Sequence, residues 1–253
     1  MKHASKGNKQ IENTYKFVQN RFNIKQKQMK LVFTIIVFLF TFVLTLGQDW
    51  ANVNKFKTEN SALGLPSPNE NRIVFMGNSI TEGWSKFNPE FFVDKPYINR
   101  GISGQTTPQM LVRFRNDVIN LNPKLVIILA GTNDIAGNTG FSTLEMILEN
   151  IISMSELAKA NNIKIILSSV LPTFDYPWKP GLSPAEKISK LNEMIKQYAG
   201  TNGIIYLDYY SEMVDDRKGL KSEFTYDGVH PNEAGYKIMS VLVEEAISKI
   251  NFD

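Results

Sequence analysis

Asp227 and His230 stand three residues apart in Asp227-Gly228-Val229-His230-Pro231. The chain has two histidines, and the other, His3, lies in a basic tail ahead of an apolar run, so an imidazole base would be His230. Histidine takes up and returns a proton near neutral pH, its ordinary pKa being about 6.5. A neighbouring carboxylate can fix its tautomer and stabilise its protonated form. Such a pair needs a nucleophile. With no cysteine in the chain a thiol nucleophile is excluded. Ser79, in Met76-Gly77-Asn78-Ser79-Ile80-Thr81-Glu82, follows an apolar run where a strand would turn into a helix. A hydroxyl exposed there can attack a carbonyl while backbone N–H groups gather round the developing oxyanion. Each residue also has a plainer reading, Ser79 as a helix cap and His230 as a structural histidine bonded to its neighbours.

Two further segments carry groups suited to the same chemistry. Asn99-Arg100-Gly101-Ile102 places a glycine at a strand end, where an unobstructed backbone N–H can face a ligand. Ala130-Gly131-Thr132-Asn133-Asp134 places the Asn133 amide after another apolar run, where it can donate a hydrogen bond. The alternatives are a turn glycine at Gly101 and an Asx turn at Asn133.

These residues need elements that bring them to one edge. Apolar runs at 72–76, 97–99, 125–130, 163–168 and 204–207 read as strands, and 108–121, 143–160, 184–198 and 232–250 have helical periodicity. Thr107 before Pro108 and Ser183 before Pro184 read as N-caps. Leu125-Val126-Ile127-Ile128-Leu129-Ala130 is apolar on both faces, as a central parallel strand covered on two sides requires. The alternation predicts an α/β fold, a three-layer α/β/α sandwich, whose ligands bind beyond the carboxyl ends of the strands. Ser79, Gly101 and Asn133 all follow strands.

The N-terminal region is of another kind. Eight of the 28 basic residues, but one of the 25 acidic ones, fall in residues 1–47, and Leu31 to Gly47 carries no charge. A basic flank, an apolar stretch and small residues at its end describe a signal peptide cut before Gln48, with Thr45 and Gly47 at the −3 and −1 positions. A retained membrane anchor is the alternative, since the run is only slightly shorter than the ~20 residues that span a bilayer. Met29, in the Met29-Lys30 pair directly before the run, is the expected translation start. The expected location is therefore periplasmic or extracellular, with membrane contact only through this segment if it is uncleaved. Residues 48–253 hold 20 basic and 24 acidic side chains, a net charge of −4. The overall basic pI thus belongs to the leader, and no nucleic-acid partner is expected. Residues 48–71 read as a linker and 72–253 as the single domain.

Gly77-Asn78-Ser79-Ile80, Gly101, Gly131-Thr132-Asn133-Asp134 and Asp227-Gly228-Val229-His230, in that order and spacing, resemble the SGNH, or GDSL-type, hydrolase family. Asn78 and Ile80 stand where the family's name motif has Asp and Leu. The resemblance implies a flavodoxin-like sandwich with a five-stranded parallel sheet. It also implies esterase or lipase chemistry with no metal and no cofactor. Carried over, it makes Ser79 the nucleophile, His230 the base and then acid, and Asp227 its orienting carboxylate. The oxyanion hole would be the Ser79 and Gly101 N–H groups with the Asn133 side chain.

The segment Leu171-Pro172-Thr173-Phe174-Asp175-Tyr176-Pro177-Trp178-Lys179-Pro180 is rich in aromatics and prolines. It should lie at the same edge, where Tyr176 and Trp178 are expected to form a wall for a sugar or acyl chain. Packing against the protein's own surface is the alternative. With no long apolar lid segment, the expected substrate is a short-acyl ester, an acetylated carbohydrate foremost. A lysophospholipase or thioesterase on the same triad, a noncatalytic carbohydrate-binding domain and a membrane-tethered structural protein are the competing readings.

Overall fold

A computed structural model describes residues 4–46 and 49–252, with side chains from residue 16 to 38 and from 49 on. His3 and the proposed cleavage point at Gly47 and Gln48 lie outside the described residues. The chain divides into two compact units, Met1–Trp50 and Ala51–Asp253. The first holds one continuous helix, α1 (Ala4–Leu46). No helix is long and apolar enough to cross a membrane among the described residues.

In the second unit α2 (Lys57–Leu63) precedes β1 (Ile73–Gly77) and α3 (Ser79–Phe87). Then come β2 (Tyr97–Gly101), α4 (Thr107–Asp117), β3 (Leu125–Leu129), α5 (Thr132–Ile135) and α6 (Leu144–Ala160). The chain continues through β4 (Lys164–Ser168), α7 (Ala185–Thr201), β5 (Ile205–Leu207), α8 (Tyr209–Met213) and α9 (Glu233–Ile247). The five strands form one parallel sheet in the order β2-β1-β3-β4-β5. This is the flavodoxin-like winding, whose direction of travel reverses between β1 and β3, and a crevice opens beyond their carboxyl ends.

β1 and β3 are buried along their whole length, and strand alternation sends their side chains to two separate cores. Val74, Met76, Val126 and Ile128 pack with Met110, Phe114, Ile151 and Leu191 on one face. Ile73, Phe75, Leu125 and Ile127 pack with Trp84, Met239 and Val243 on the other. The three-layer α/β/α sandwich expected from the uninterrupted apolar runs is the structure observed.

Local differences from the sequence reading have identifiable causes. The predicted helix 108–121 stops at Asp117, and a short 3₁₀ turn Ile119–Leu121 follows, because Pro123 disfavours right-handed helix at Asn122, which is left-handed at φ 49°. Its cap is Thr106, whose N–H donates to the Gln109 carboxamide at 3.0 Å in a capping box. Thr107 is the first helical residue, and its hydroxyl goes to Asp134 instead. Ser183 does not cap α7. Its backbone is left-handed at φ 49°, and its N–H points toward the Asp175 carboxylate.

The expected linker is better ordered than a linker need be. Ala51 is buried, and the Asn60 carboxamide oxygen accepts from Arg100 Nε at 2.9 Å and Nη2 at 2.7 Å. Arg72 Nη1 donates to the Gly64 carbonyl at 2.9 Å. These bonds to scattered polar residues leave no periodic signature, which is why composition alone reads the segment as open chain.

Candidate active site

β1 ends at Gly77, and Asn78 caps α3 by accepting the Ile80 N–H at 3.2 Å. The substitution of Asn for Asp in the name motif therefore preserves the turn. Because Asn78 does the capping, the Ser79 hydroxyl is free for other work. Its Oγ lies 2.9 Å from His230 Nε2, across 151 residues of chain.

The other ring nitrogen, Nδ1, is 2.7 Å from Asp227 Oδ2. Asp227 Oδ1 also accepts the Val229 N–H at 2.9 Å and the His230 N–H at 2.7 Å. Burial pushes the Asp227 carboxyl up, but the bonds from the His230 backbone and ring and from Val229 outweigh it, holding the group below the usual carboxylate range. An ionised Asp227 can only accept, so Nδ1 carries a hydrogen and Nε2 presents its lone pair to the Ser79 hydroxyl. Thr225 Oγ1 closes the loop by donating to the His230 carbonyl at 2.7 Å and accepting the Gly228 N–H at 2.9 Å.

Backbone N–H groups at the start of a helix have no intrahelical acceptor, and the Ser79 N–H has no hydrogen-bond partner among the described residues. Asn133 donates one amide hydrogen to the Gln105 carbonyl at 2.9 Å, leaving its second hydrogen available. Gly101 does not fit the donor role expected of it. Its N–H donates to Asn99 Oδ1 at 2.9 Å. It is glycine for a different reason, since a Cβ there would collide with the backbone of Thr81 and Glu82 in α3.

Gly104, three residues on, has the properties sought at Gly101. It is exposed, its φ is +77°, a conformation that favours glycine, and its N–H has no partner among the described residues. Its carbonyl accepts from Asn138 Nδ2 at 3.2 Å, so the turn is tied to the segment after β3. The pairing of Gly104 with a following polar Gln-Thr-Thr run was the available sequence cue.

The support behind this turn is buried. The Gln105 side chain donates to the Ala51 carbonyl at 2.7 Å and accepts from Arg113 Nε at 2.5 Å. Arg113 Nη2 donates to the Gly77 carbonyl at 2.9 Å, and Nη1 pairs with Asp117 at 2.9 Å, both side chains being fully buried. One guanidinium thus joins the end of β1, two residues before Ser79, to the turn that carries Gly104. Asp134, next to Asn133, accepts the Thr107 N–H at 2.9 Å and its hydroxyl at 2.6 Å. Burial pushes the Asp134 carboxyl up to about 6 despite these bonds.

The aromatic segment divides in two. Tyr176 is 1 % exposed and its hydroxyl donates to the Thr132 carbonyl at 2.9 Å, so it packs inside and is no substrate wall. Trp178 is 42 % exposed, 5.0 Å from the Tyr176 ring and 6.0 Å from the His230 ring. Asp175 folds the loop by accepting the Gly181 and Tyr176 N–H groups at 2.6 and 3.0 Å. Tyr226 also borders the site, stacked on His230 with centroids 5.8 Å apart and planes at 12°. No periodicity marked it, because it sits in a short irregular loop beside the carboxylate.

The sequence profile of the GDSL-like Lipase/Acylhydrolase family matches residues 75–238. Among solved structures, a GDSL-like lipase from Bacteroides thetaiotaomicron is 52 % identical, with a TM-score of 0.77 over 79 % of this chain and 98 % of that one. The platelet-activating factor acetylhydrolase IB subunit beta homolog of Drosophila melanogaster is 30 % identical over 155 residues, 58 % of this chain and 61 % of the relative. An acetylxylan esterase of Xylanibacter ruminicola is 26 % identical over 222 residues, 72 % of this chain and 45 % of the relative. Both alignments thus span less than two thirds of the relatives' own lengths. With a profile match over more than half its length, the chain belongs to the GDSL-like lipase/acylhydrolase family, a family of carboxylic ester hydrolases.

Proposed function

We propose that the protein is an exported serine hydrolase that cleaves short-acyl carboxylic esters, acetyl esters of carbohydrates foremost, through an acyl-enzyme. The observation that carries this reading is the unbroken chain from Ser79 Oγ to His230 Nε2 at 2.9 Å and from Nδ1 to Asp227 Oδ2 at 2.7 Å. Ser79 attacks the ester carbonyl as His230 takes its proton, and the imidazolium is stabilised by Asp227. The oxyanion is held by the N–H groups of Ser79 and Gly104 and by the free Asn133 amide hydrogen. His230 then protonates the departing alcohol. In the second half it activates water, which releases the acid and returns the proton to Ser79.

The acetyl preference rests on two relatives whose names specify acetyl esters, an acetylhydrolase homolog and an acetylxylan esterase. Trp178, half exposed beside His230, offers a flat face on which a sugar ring can stack. Export rests on the basic flank and uncharged run of residues 1–47, and a mature chain beginning at Gln48 on N-terminal sequencing is the expected result.

The decisive test pairs Ser79→Ala with a substrate panel of p-nitrophenyl acetate, longer p-nitrophenyl esters, thioesters, lysophospholipid and acetylated oligosaccharides. The variant should lose roughly 10⁴-fold or more in kcat, and the wild type should prefer acetyl substrates. Undiminished hydrolysis by the variant would remove the triad reading. A preference for long acyl chains would keep the triad and move the substrate class to lipids.

A further inference from the structure

We infer that Tyr226 is a positioning residue for His230, the middle of an aromatic strut that ties the base to the helix carrying the nucleophile. The inference rests on the triad reading given above. Tyr226 lies nearly parallel to the imidazole, 5.8 Å between centroids and 12° between planes. Its ring also stacks on Phe87, at 5.6 Å and 30°, and Phe87 stacks on Tyr236 at 5.9 Å and 14°. Phe87 is the last residue of α3, the helix that begins with Ser79. Tyr236, on α9, is fully buried and its hydroxyl donates to the Ile80 carbonyl at 2.8 Å. The end of the stack remote from His230 is therefore anchored on α3, the element that sets the position of Ser79 Oγ.

The Asp227 bond fixes one edge of the imidazole but leaves the ring free to tilt about the Nδ1 contact. A parallel ring against its face restricts that tilt and keeps the Nε2 lone pair aimed at Ser79. The stacked π-face also favours the imidazolium that forms as the proton leaves Ser79. Tyr226 is 59 % exposed, so its replacement removes little from the core. No hydrogen bond of its hydroxyl is needed for this role, so phenylalanine should replace it.

The test uses the full chain with p-nitrophenyl acetate, together with the rate at which a fluorophosphonate labels Ser79. Tyr226→Ala should lower kcat and the labelling rate by roughly 10-fold with KM changed less than about twofold, as loss of orientation at a reacting centre predicts. Tyr226→Phe should restore both to within about twofold of wild type. Phe87→Leu, which removes the buttress without touching His230, should show the same pattern more weakly, with thermal melts confirming that each variant is folded. Wild-type kcat and labelling in Tyr226→Ala would overturn the inference, as would a loss confined to KM, which would make Tyr226 a substrate wall instead. Failure of the wild-type chain to label at all would instead refute the triad reading on which the inference stands.

Discussion

The two sides of the site are built in opposite ways. On the acid–base side, Asp227 and His230 are held by bonds between residues three to five apart in sequence, and their side chains are 26 % and 19 % exposed. On the donor side, the Gly104 turn is held by bonds across 28, 36 and 54 residues, through Asn133, Arg113 and Gln105, with Arg113 and Asp117 fully buried. The first side can be rearranged at little expense to the fold, because it is a surface loop satisfied by its own backbone. The second is part of the interior, where an unpaired charge is expensive. Chemistry and stability should therefore respond separately to substitutions on the two sides.

The largest expected effect is on the local side. Asp227→Asn keeps an acceptor for the Val229 and His230 N–H groups but turns an amide hydrogen toward Nδ1, favouring the wrong tautomer. It should lower kcat by about 10⁴-fold while leaving the urea midpoint nearly unchanged. A large drop in the midpoint would mean that the loop is coupled to the core after all.

Arg113→Met attacks the other side and should do the reverse. It leaves Asp117 in the interior without its ion-pair partner, the bond from Asn60 remaining, and should cost about 3–5 kcal/mol in denaturant unfolding. Full stability in that variant would show that the buried network is dispensable.

Asp134 supplies a pH-dependent version of the same contrast. Its folded-state pKa is raised to about 6 against about 3.9 in an unfolded chain. The folded state holds this proton more tightly, so the contribution is fully present below about pH 4 and is lost as pH rises through about 6. The loss amounts to about 3 kcal/mol. Unfolding midpoints between pH 4 and 7 should show this slope in the wild type and lack it in Asp134→Asn, and parallel curves would refute the assignment.

The smallest effects should come from Gly101, at the end of β2, and Gly104, in the turn that follows. Gly101→Ala forces a Cβ into the α3 backbone and should destabilise by about 1–3 kcal/mol. Gly104→Ala has open space for its methyl but a strained φ, costing about 1–2 kcal/mol. Only Gly104→Ala should lower kcat out of proportion to its loss of stability, because it reorients a free N–H. A larger catalytic loss in Gly101→Ala would return the donor role to Gly101.

Ser79, Asp227 and His230 were legible because their neighbours declare them: an apolar run before Ser79, a helix-starting Pro-Asn after His230 and a carboxylate three residues back. Both cores were legible for a similar reason, since strands buried on two faces are apolar at every position. Tyr176 and Trp178 were not separable, because two aromatics in one loop look alike until the chain turns about Asp175 and sends one ring inward to Thr132. Gly101 and Gly104 were confused because a glycine's sequence neighbours do not say whether its missing Cβ or its free N–H is what matters.

By itself, the sequence determined the sandwich, the direction of the strands and the nearness of the candidate pair Asp227 and His230, all of which follow from periodicity and contacts within a few residues. Tertiary structure alone decided which glycine N–H is free, which aromatic faces the solvent and which ring stacks on His230. Those outcomes depend on groups brought together from distant positions, where burial and hydrogen-bond satisfaction settle what local pattern leaves open.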